Sequence, residues 1–198
     1  MRRARAAESA VAIHLSLQPG LLAVYTSLVH PASLLDSTPT ILAMRALRAK
    51  NEQTVVATVS ASDLERNLLQ ALEHESSDFE IPAAQLQVSW AGQLPPQRGW
   101  EAQDGVSAQL LEHAAQSGIE QVAHALPENP GAAVVNTVRS QIWSQPLSDE
   151  RANIPTGAGF TALVLGFLKS DDDAQLPVYV NGRWTRVVTP GGFVLIKK

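Results

Sequence analysis

No cysteine occurs in these 198 residues, and that absence removes disulfide frameworks, thiolate zinc sites, iron–sulfur clusters and thiol catalysis together. Charged residues are scarce at 17%, below the roughly 25% of an average domain, which excludes a charge-rich disordered chain. No apolar run approaches the ~20 residues of a membrane span. A net charge of −4 leaves no broadly basic footprint for nucleic acid. What is present is 45% hydrophobic residues, and a chain of this length can bury roughly 70% of the surface its unfolded form exposes. One or two globular domains without covalent staples are therefore expected.

The start, Met1-Arg2-Arg3-Ala4-Arg5, followed by the apolar stretch Val11 to Val29, has the outline of an export signal. His14, Ser16, Gln18 and Pro19-Gly20 interrupt that stretch, and no small-x-small cleavage site follows it, so a cytoplasmic location is the expectation.

Val11, Ile13, Leu15 and Leu17 alternate with Ala12, His14 and Ser16, the period of a half-buried strand. Pro19-Gly20 turns into a second strand over 21–29, and Leu34-Leu35 is expected to tuck under the sheet. Residues 41–49 and 54–59 read as a hairpin about Lys50-Asn51-Glu52-Gln53, because β-branched content rises after that polar turn. Ser62-Asp63-Leu64-Glu65 fits a capping box, predicting a helix to Leu72 that buries Leu64, Leu68, Leu69 and Leu72. Leu86 to Trp90 reads as a short strand. The Leu94-Pro95-Pro96 segment is the best boundary between two domains, 1–96 and 97–198.

Beyond it the period changes. Leu110, Leu111, Ala114, Gly118, Ile119, Val122 and Leu126 recur at helical spacing within 104–126; Pro130-Gly131 opens a helix over 132–143, and Pro155 another over 156–168. Three short strands close the chain at 178–180, 183–188 and 193–197. Asn181-Gly182 supplies the first turn as a type I′ pair, and Thr189-Pro190-Gly191-Gly192 the second. The reading is α+β: an N-terminal antiparallel β-meander with one helix, then a three-helix module with a small antiparallel sheet. Three helices before a hairpin also give a winged-helix-like order.

Motifs that carry chemistry are few. Gly157-Ala158-Gly159-Phe160-Thr161-Ala162 matches G-x-G-x-x-A, but no strand and βαβ context precede it, so these glycines serve flexibility or close helix packing rather than a dinucleotide. The five histidines lack metal-ligand spacing; His113 and His124 lie eleven residues apart, about 16 Å along a helix. His14, His30 and His74 read as solvated or locally hydrogen-bonded. Asp171-Asp172-Asp173 lacks the further ligands of a calcium loop. No G-x-S-x-G, Walker A or H-E-x-x-H sequence occurs. No cofactor, metal ligand or catalytic residue is assigned. A site assembled from distant residues leaves no linear motif, so an enzyme stays among the readings.

Basic and aromatic groups interleave in one place, Arg183, Trp184 and Arg186, followed by Lys197 and Lys198. Strand alternation puts Trp184 and Arg186 on one face, a stacking platform beside a guanidinium that suits a protein carboxylate, a phosphate or single-stranded nucleic acid. The leading reading is a non-enzymatic interaction or regulatory protein of the bacterial cytoplasm that binds a protein partner or itself. The alternative is nucleic-acid binding through the C-terminal module, although residues 100–198 hold seven basic against ten acidic side chains.

Pro95-Pro96-Gln97-Arg98-Gly99-Trp100-Glu101, Gly166-Phe167-Leu168, Gly182-Arg183-Trp184-Thr185 and Thr189-Pro190-Gly191-Gly192 together resemble a family of uncharacterised actinobacterial proteins. The excess of Arg over Lys, 11 to 4, agrees with GC-rich coding. These are turn and packing residues, so the resemblance implies a two-part architecture and transfers no catalytic group.

Overall fold

The computed structural model describes residues 3–4, 11–33, 35–50, 52–148, 153–169 and 174–198. Its contacts divide the chain into two compact units, 1–28 with 44–94 and 29–43 with 95–198. The fold is α+β, with antiparallel strands and long helices in both halves of the sequence.

In the first unit, β1 (Ala12–Gln18) and β2 (Leu21–Val29) form the expected hairpin, Gln18 opposite Leu21. The turn is made by Pro19 and Gly20, whose φ of +79° supplies the left-handed residue of a type II turn. Next come β3 (Thr40–Arg48) and β4 (Val55–Ser60), which do not form the hairpin expected of them. β4 instead crosses to pair with β1, so the order here is β4-β1-β2, with the Met44–Arg48 half of β3 next to β2. A periodic pattern marks a strand without naming its partner. The registers Ile13 opposite Val59, Leu15 opposite Ala57 and Leu17 opposite Val55 match apolar groups along the whole pair, and cross-strand matching of this kind decides between pairings.

Helix α1 (Ala61–Glu73) follows directly, capped by Ser60 rather than Ser62: the Ser60 hydroxyl accepts from Ser62 N at 3.2 Å. Of its four expected core leucines Leu64 is fully buried, whereas Leu69 and Leu72 are 41% and 71% exposed. At 100° per residue Leu69 stands about 140° round the helix from Leu64, and Leu72 falls in the last turn. The expected strand at 86–90 is absent. A 3₁₀ turn occupies Ser89–Gly92, and only Leu86 N, donating to Thr58 O at 2.7 Å, continues the ladder at the β4 edge.

His14 was expected on a polar face; it is 5% exposed. Tyr25, His14 and Thr58 share one rung across β2, β1 and β4. The imidazole meets the Tyr25 ring edge-on at 5.9 Å and hydrogen-bonds Thr58 Oγ1 through Nδ1 at 2.8 Å, while Nε2 is buried without a partner among the described residues. Burial holds its pKa below the ordinary 6.5, since a charged ring here would bring a second N–H with no acceptor.

The second unit is built from β5 (Glu101–Ser107), α2 (Ala108–Ala125), α3 (Ala132–Trp143), α4 (Thr156–Val164), β6 (Gln175–Asn181), β7 (Trp184–Thr189) and β8 (Gly192–Lys197). Residues 104–107 belong to β5 rather than to the helix expected from 104; Ser107 caps α2, its Oγ accepting from Leu110 N. The strand order is β8-β7-β6-β5, and β3 lies next to β8, bringing the fully buried Ile41 and Leu42 into this unit. Ahead of them Asp36 ties the 29–43 segment to α3. Its carboxylate accepts from Ala32 N, Thr38 N and Thr38 Oγ1 at 2.8, 2.9 and 2.5 Å, and Ser140 Oγ lies against both side chains. These donors, the Thr38 hydroxyl foremost, hold the Asp36 carboxyl below its usual range. Leu35, expected under the sheet, is 98% exposed beside this knot, and Leu34 lies outside the described residues.

Glycines set how closely the helices approach. A Cβ on Gly159 would stand 2.2 Å from Leu111 O, and one on Gly118 2.2 Å from the Trp143 ring, which itself stacks on Phe160 at 4.4 Å between centroids. The G-x-G-x-x-A sequence is thus a packing motif. Gly157 likewise faces Ile41 Cδ1 and Trp143 O at 2.8 and 2.9 Å.

Two outcomes are expected. Gly159→Ala should lower stability by about 1–3 kcal/mol, read as a lower urea midpoint at unchanged slope, because backbone cannot step aside as a flexible side chain can. Since the folded pKa of His14 lies below its unfolded value, the unfolded chain takes up a proton that the native chain refuses as pH drops through 6.5. The stability that neutral His14 contributes is therefore whole above that pH and is lost below it. Urea midpoints at pH 8, 7, 6 and 5 should fall more steeply in the native chain than in His14→Gln; parallel curves would refute it. Asp36, with a depressed pKa, loses its contribution only at lower pH still.

Candidate functional site

Hairpin geometry decides which side chains meet on the C-terminal sheet. The two-residue loop between β6 and β7 is Gly182-Arg183, one position later than expected, with Asn181 opposite Trp184. Gly182 has φ +54° while Arg183 does not enter the positive region, so the type I′ pair on Asn181-Gly182 is not formed. The later loop moves every pairing along by two residues. Tyr179 comes opposite Arg186, and Arg186 in turn opposite Leu195. Two rungs along, on the same face, Val188 pairs with Phe193.

A fourth group reaches this face from the strap before β5. Gly99 adopts φ +80°, and a Cβ there would stand 3.1 Å from Asn181 Nδ2, the atom that donates to Arg98 O at 2.8 Å. Trp100, next in line, is fixed by its Nε1 donating to Pro96 O at 2.9 Å. Its ring lies 4.4 Å from Arg186 Cζ, with the Tyr179 ring at 4.7 Å and the Phe193 ring at 5.9 Å.

Arg186 thus sits in a half-buried clamp of three aromatic rings. Ring quadrupoles stabilise the cation, each contact contributing roughly 0.5–2 kcal/mol as water is excluded. They do not satisfy its N–H groups, which lie in the guanidinium plane. Nε is buried with no acceptor, and Arg186 hydrogen-bonds to none of the described residues. The result is a cation fixed in position with donors to spare.

The other residues singled out in the sequence divide into two pairs. Trp184 is only 8% exposed and pairs across the ladder with Lys197, whose Nζ lies 6.0 Å from its ring. Arg183 and Lys198 join at the strand ends, with Arg183 Nε donating to Lys198 O at 2.7 Å and Lys198 N to Arg183 O at 3.3 Å. Tyr179 and Phe193 were not among the residues singled out, and Trp100 entered only within the Pro95-to-Glu101 motif. Tyr179 could have been found from strand alternation once the loop was placed correctly; the other two needed the strap and the second hairpin.

Elsewhere in this unit an open groove of about 570 Å³ lies between α2 and α3, lined by Glu120, Gln121 and His124 on one side and Gln141 and Gln145 on the other. Glu120 and His124 are one turn apart, and the amides offer adaptable polar contacts. His113 shares α2 with His124. Among the described residues no three of His, Asp and Glu gather closely enough to hold a metal ion; Asp171 to Asp173 lie outside them. No described helix is long and apolar enough to cross a membrane.

The sequence motifs that resemble an uncharacterised family meet one another here. Gly99 packs on Asn181 beside Gly182, and Gly191 N donates to Phe167 O at 3.0 Å, where a Cβ would clash with Phe167 Cα at 2.5 Å. No curated protein matches the chain. The family model for a domain of unknown function, DUF8185, matches residues 95–198, from the Pro95-Pro96 strap through the last strand. With more than half its length matched, the chain belongs to the DUF8185 family, a domain of unknown function.

Proposed function

We propose that the chain is a non-enzymatic interaction protein, binding another protein or a second copy of itself through the aromatic face that β6, β7 and β8 carry about Arg186. The observation that supports this is the clamp itself: a half-buried cation flanked by rings, with no hydrogen-bond acceptor among the described residues. Unmet donors on a half-buried cation cost free energy that a partner returns where it reaches the accessible N–H groups. Aromatic rings around an arginine are also the composition of interface hot spots. The bacterial cytoplasm and an actinobacterial source belong to the same proposal; a chain free of cysteine needs no oxidising compartment.

One observation favours nucleic acid as a second reading. The Arg183–Lys198 link and the Trp184–Lys197 rung bring four cations, Arg183, Arg186, Lys197 and Lys198, onto two neighbouring strands, a spacing that phosphates can follow.

The two readings separate experimentally. A photoreactive azidophenylalanine at Tyr179, compared with one at the exposed Gln116 of α2, should give a recurrent protein adduct from the first position and not from the second; equal or absent adducts would overturn the interaction reading. Nucleic-acid binding instead requires affinity for mixed oligonucleotides that falls steeply with salt, with a log–log slope shallower by about one for each of the four cations replaced by Ala. Salt-independent or absent binding removes it.

A further inference from the structure

Resting on the interaction reading, we infer that the Arg186 clamp is the docking point for a side-chain carboxylate on an acidic segment of a partner protein. The rings define what can enter. Arg186 Cζ lies over the Trp100 and Tyr179 rings at 4.4 and 4.7 Å, which leaves the terminal edge of the guanidinium as the route for a ligand. That edge presents parallel N–H donors in one plane, the complement of a planar bidentate acceptor, and a carboxylate is the protein group of that shape. Nε is buried without an acceptor among the described residues, so a ligand arriving from solvent meets the terminal Nη groups of the half-buried side chain.

The surroundings favour a carboxylate among apolar neighbours over a phosphate chain. Phe193, Tyr179 and Trp100 form the rim, and Val188 lies on the Phe193 rung, so groups flanking the carboxylate meet hydrocarbon rather than further cations. Of the neighbouring bases, Arg183 already spends its Nε on Lys198 O. Residues 100–198 are acidic on balance, with seven basic against ten acidic side chains, which opposes a polyanion and leaves a local contact to one acid unaffected at the Debye lengths of ordinary buffers. Immobilisation by the rings lowers the ordering cost of each hydrogen bond that forms.

The full-length chain, labelled with ¹⁵N, allows a direct test through the Arg186 Nε–H resonance, assigned by its disappearance in Arg186→Lys. The probes are sodium acetate, acetyl-Leu-Glu-Leu-amide, its Gln counterpart and inorganic phosphate. Acetate and the Glu peptide should move the resonance downfield and saturate, the peptide at about tenfold lower concentration because its leucines reach the rim. The Gln peptide should leave it in place. Trp100→Phe should preserve the response and Trp100→Ala weaken it at least tenfold; the wild-type titrations stand whether or not that last variant folds. No movement up to roughly 50 mM acetate, equal movement with the Gln peptide, or a stronger response to phosphate would each overturn the assignment. Azidophenylalanine adducts at Tyr179 without any acetate response would leave the interaction reading standing and this one refuted. An acetate response without adducts would overturn the interaction reading and, with it, the protein partner assigned here.

Discussion

Backbone-to-backbone approach of α2 and α4 is the constraint on which the second unit rests. Gly159 lies under the Leu111 carbonyl, Gly118 under the Trp143 ring and Gly157 against Ile41 and the Trp143 backbone. Three residues without side chains thereby let a large one, Trp143, stack on Phe160 in the space between the helices. Close packing of this kind gains dispersion contacts over the whole of an aromatic ring. It also fixes helix positions to within a methyl group, since none of the three sites has room for one. A strap and a turn on the far side of the unit obey the same rule: Gly99 yields to Asn181 and Gly191 to Phe167. The conspicuous glycines of this sequence are thus points of contact before they are points of freedom.

Much of the fold was legible because it depends on period and punctuation. Alternation at Val11 to Leu17, helical spacing in 110–126 and the Pro130-Gly131 start all mark elements that exist within a few residues of where they were expected. What was not legible is pairing. The strands at 40–48 and 55–60 were both recognised, yet β4 joins β1, with Ile13 opposite Val59 and Leu15 opposite Ala57, and does not neighbour β3. The clamp suffered a related loss. Trp184 and Arg186 were correctly placed on one face, but a turn read one residue early sets Arg186 opposite Pro177 instead of Tyr179. Trp100 reaches the site through a strap whose conformation depends on Asn181, more than eighty positions away. The histidines show the limit of composition: His14 looks no different from His74 until three strands close round it.

Two charged groups in the second unit are treated in opposite ways. Asp36 is surrounded by donors, two amides and two hydroxyls, so its charge is fully answered within the fold and serves to hold residues 29–43 against α3. Arg186 is answered, among the described residues, by rings that stabilise charge without the strong acceptor a carboxylate or carbonyl would supply. The first arrangement is complete and its role is architectural. The second is stable but unsaturated, and it lies where the strap carrying Trp100 meets the β6–β8 meander, far along the sequence.

The matched family region and the second compact unit do not coincide. The former begins at residue 95, whereas the latter also takes in 29–43, including the β3 residues beside β8. On the ribosome, this strand emerges long before the strand it must lie against, with every other element of the second unit made between them. The ladder between them cannot close until β8 has been made, and closing so long a loop is entropically slow. Until then Ile41 and Leu42 have no interior to enter. A fragment cut at the family boundary would inherit the mirror problem, a β8 whose outer backbone groups have lost their neighbour, which is the kind of open edge that draws in strands from other molecules.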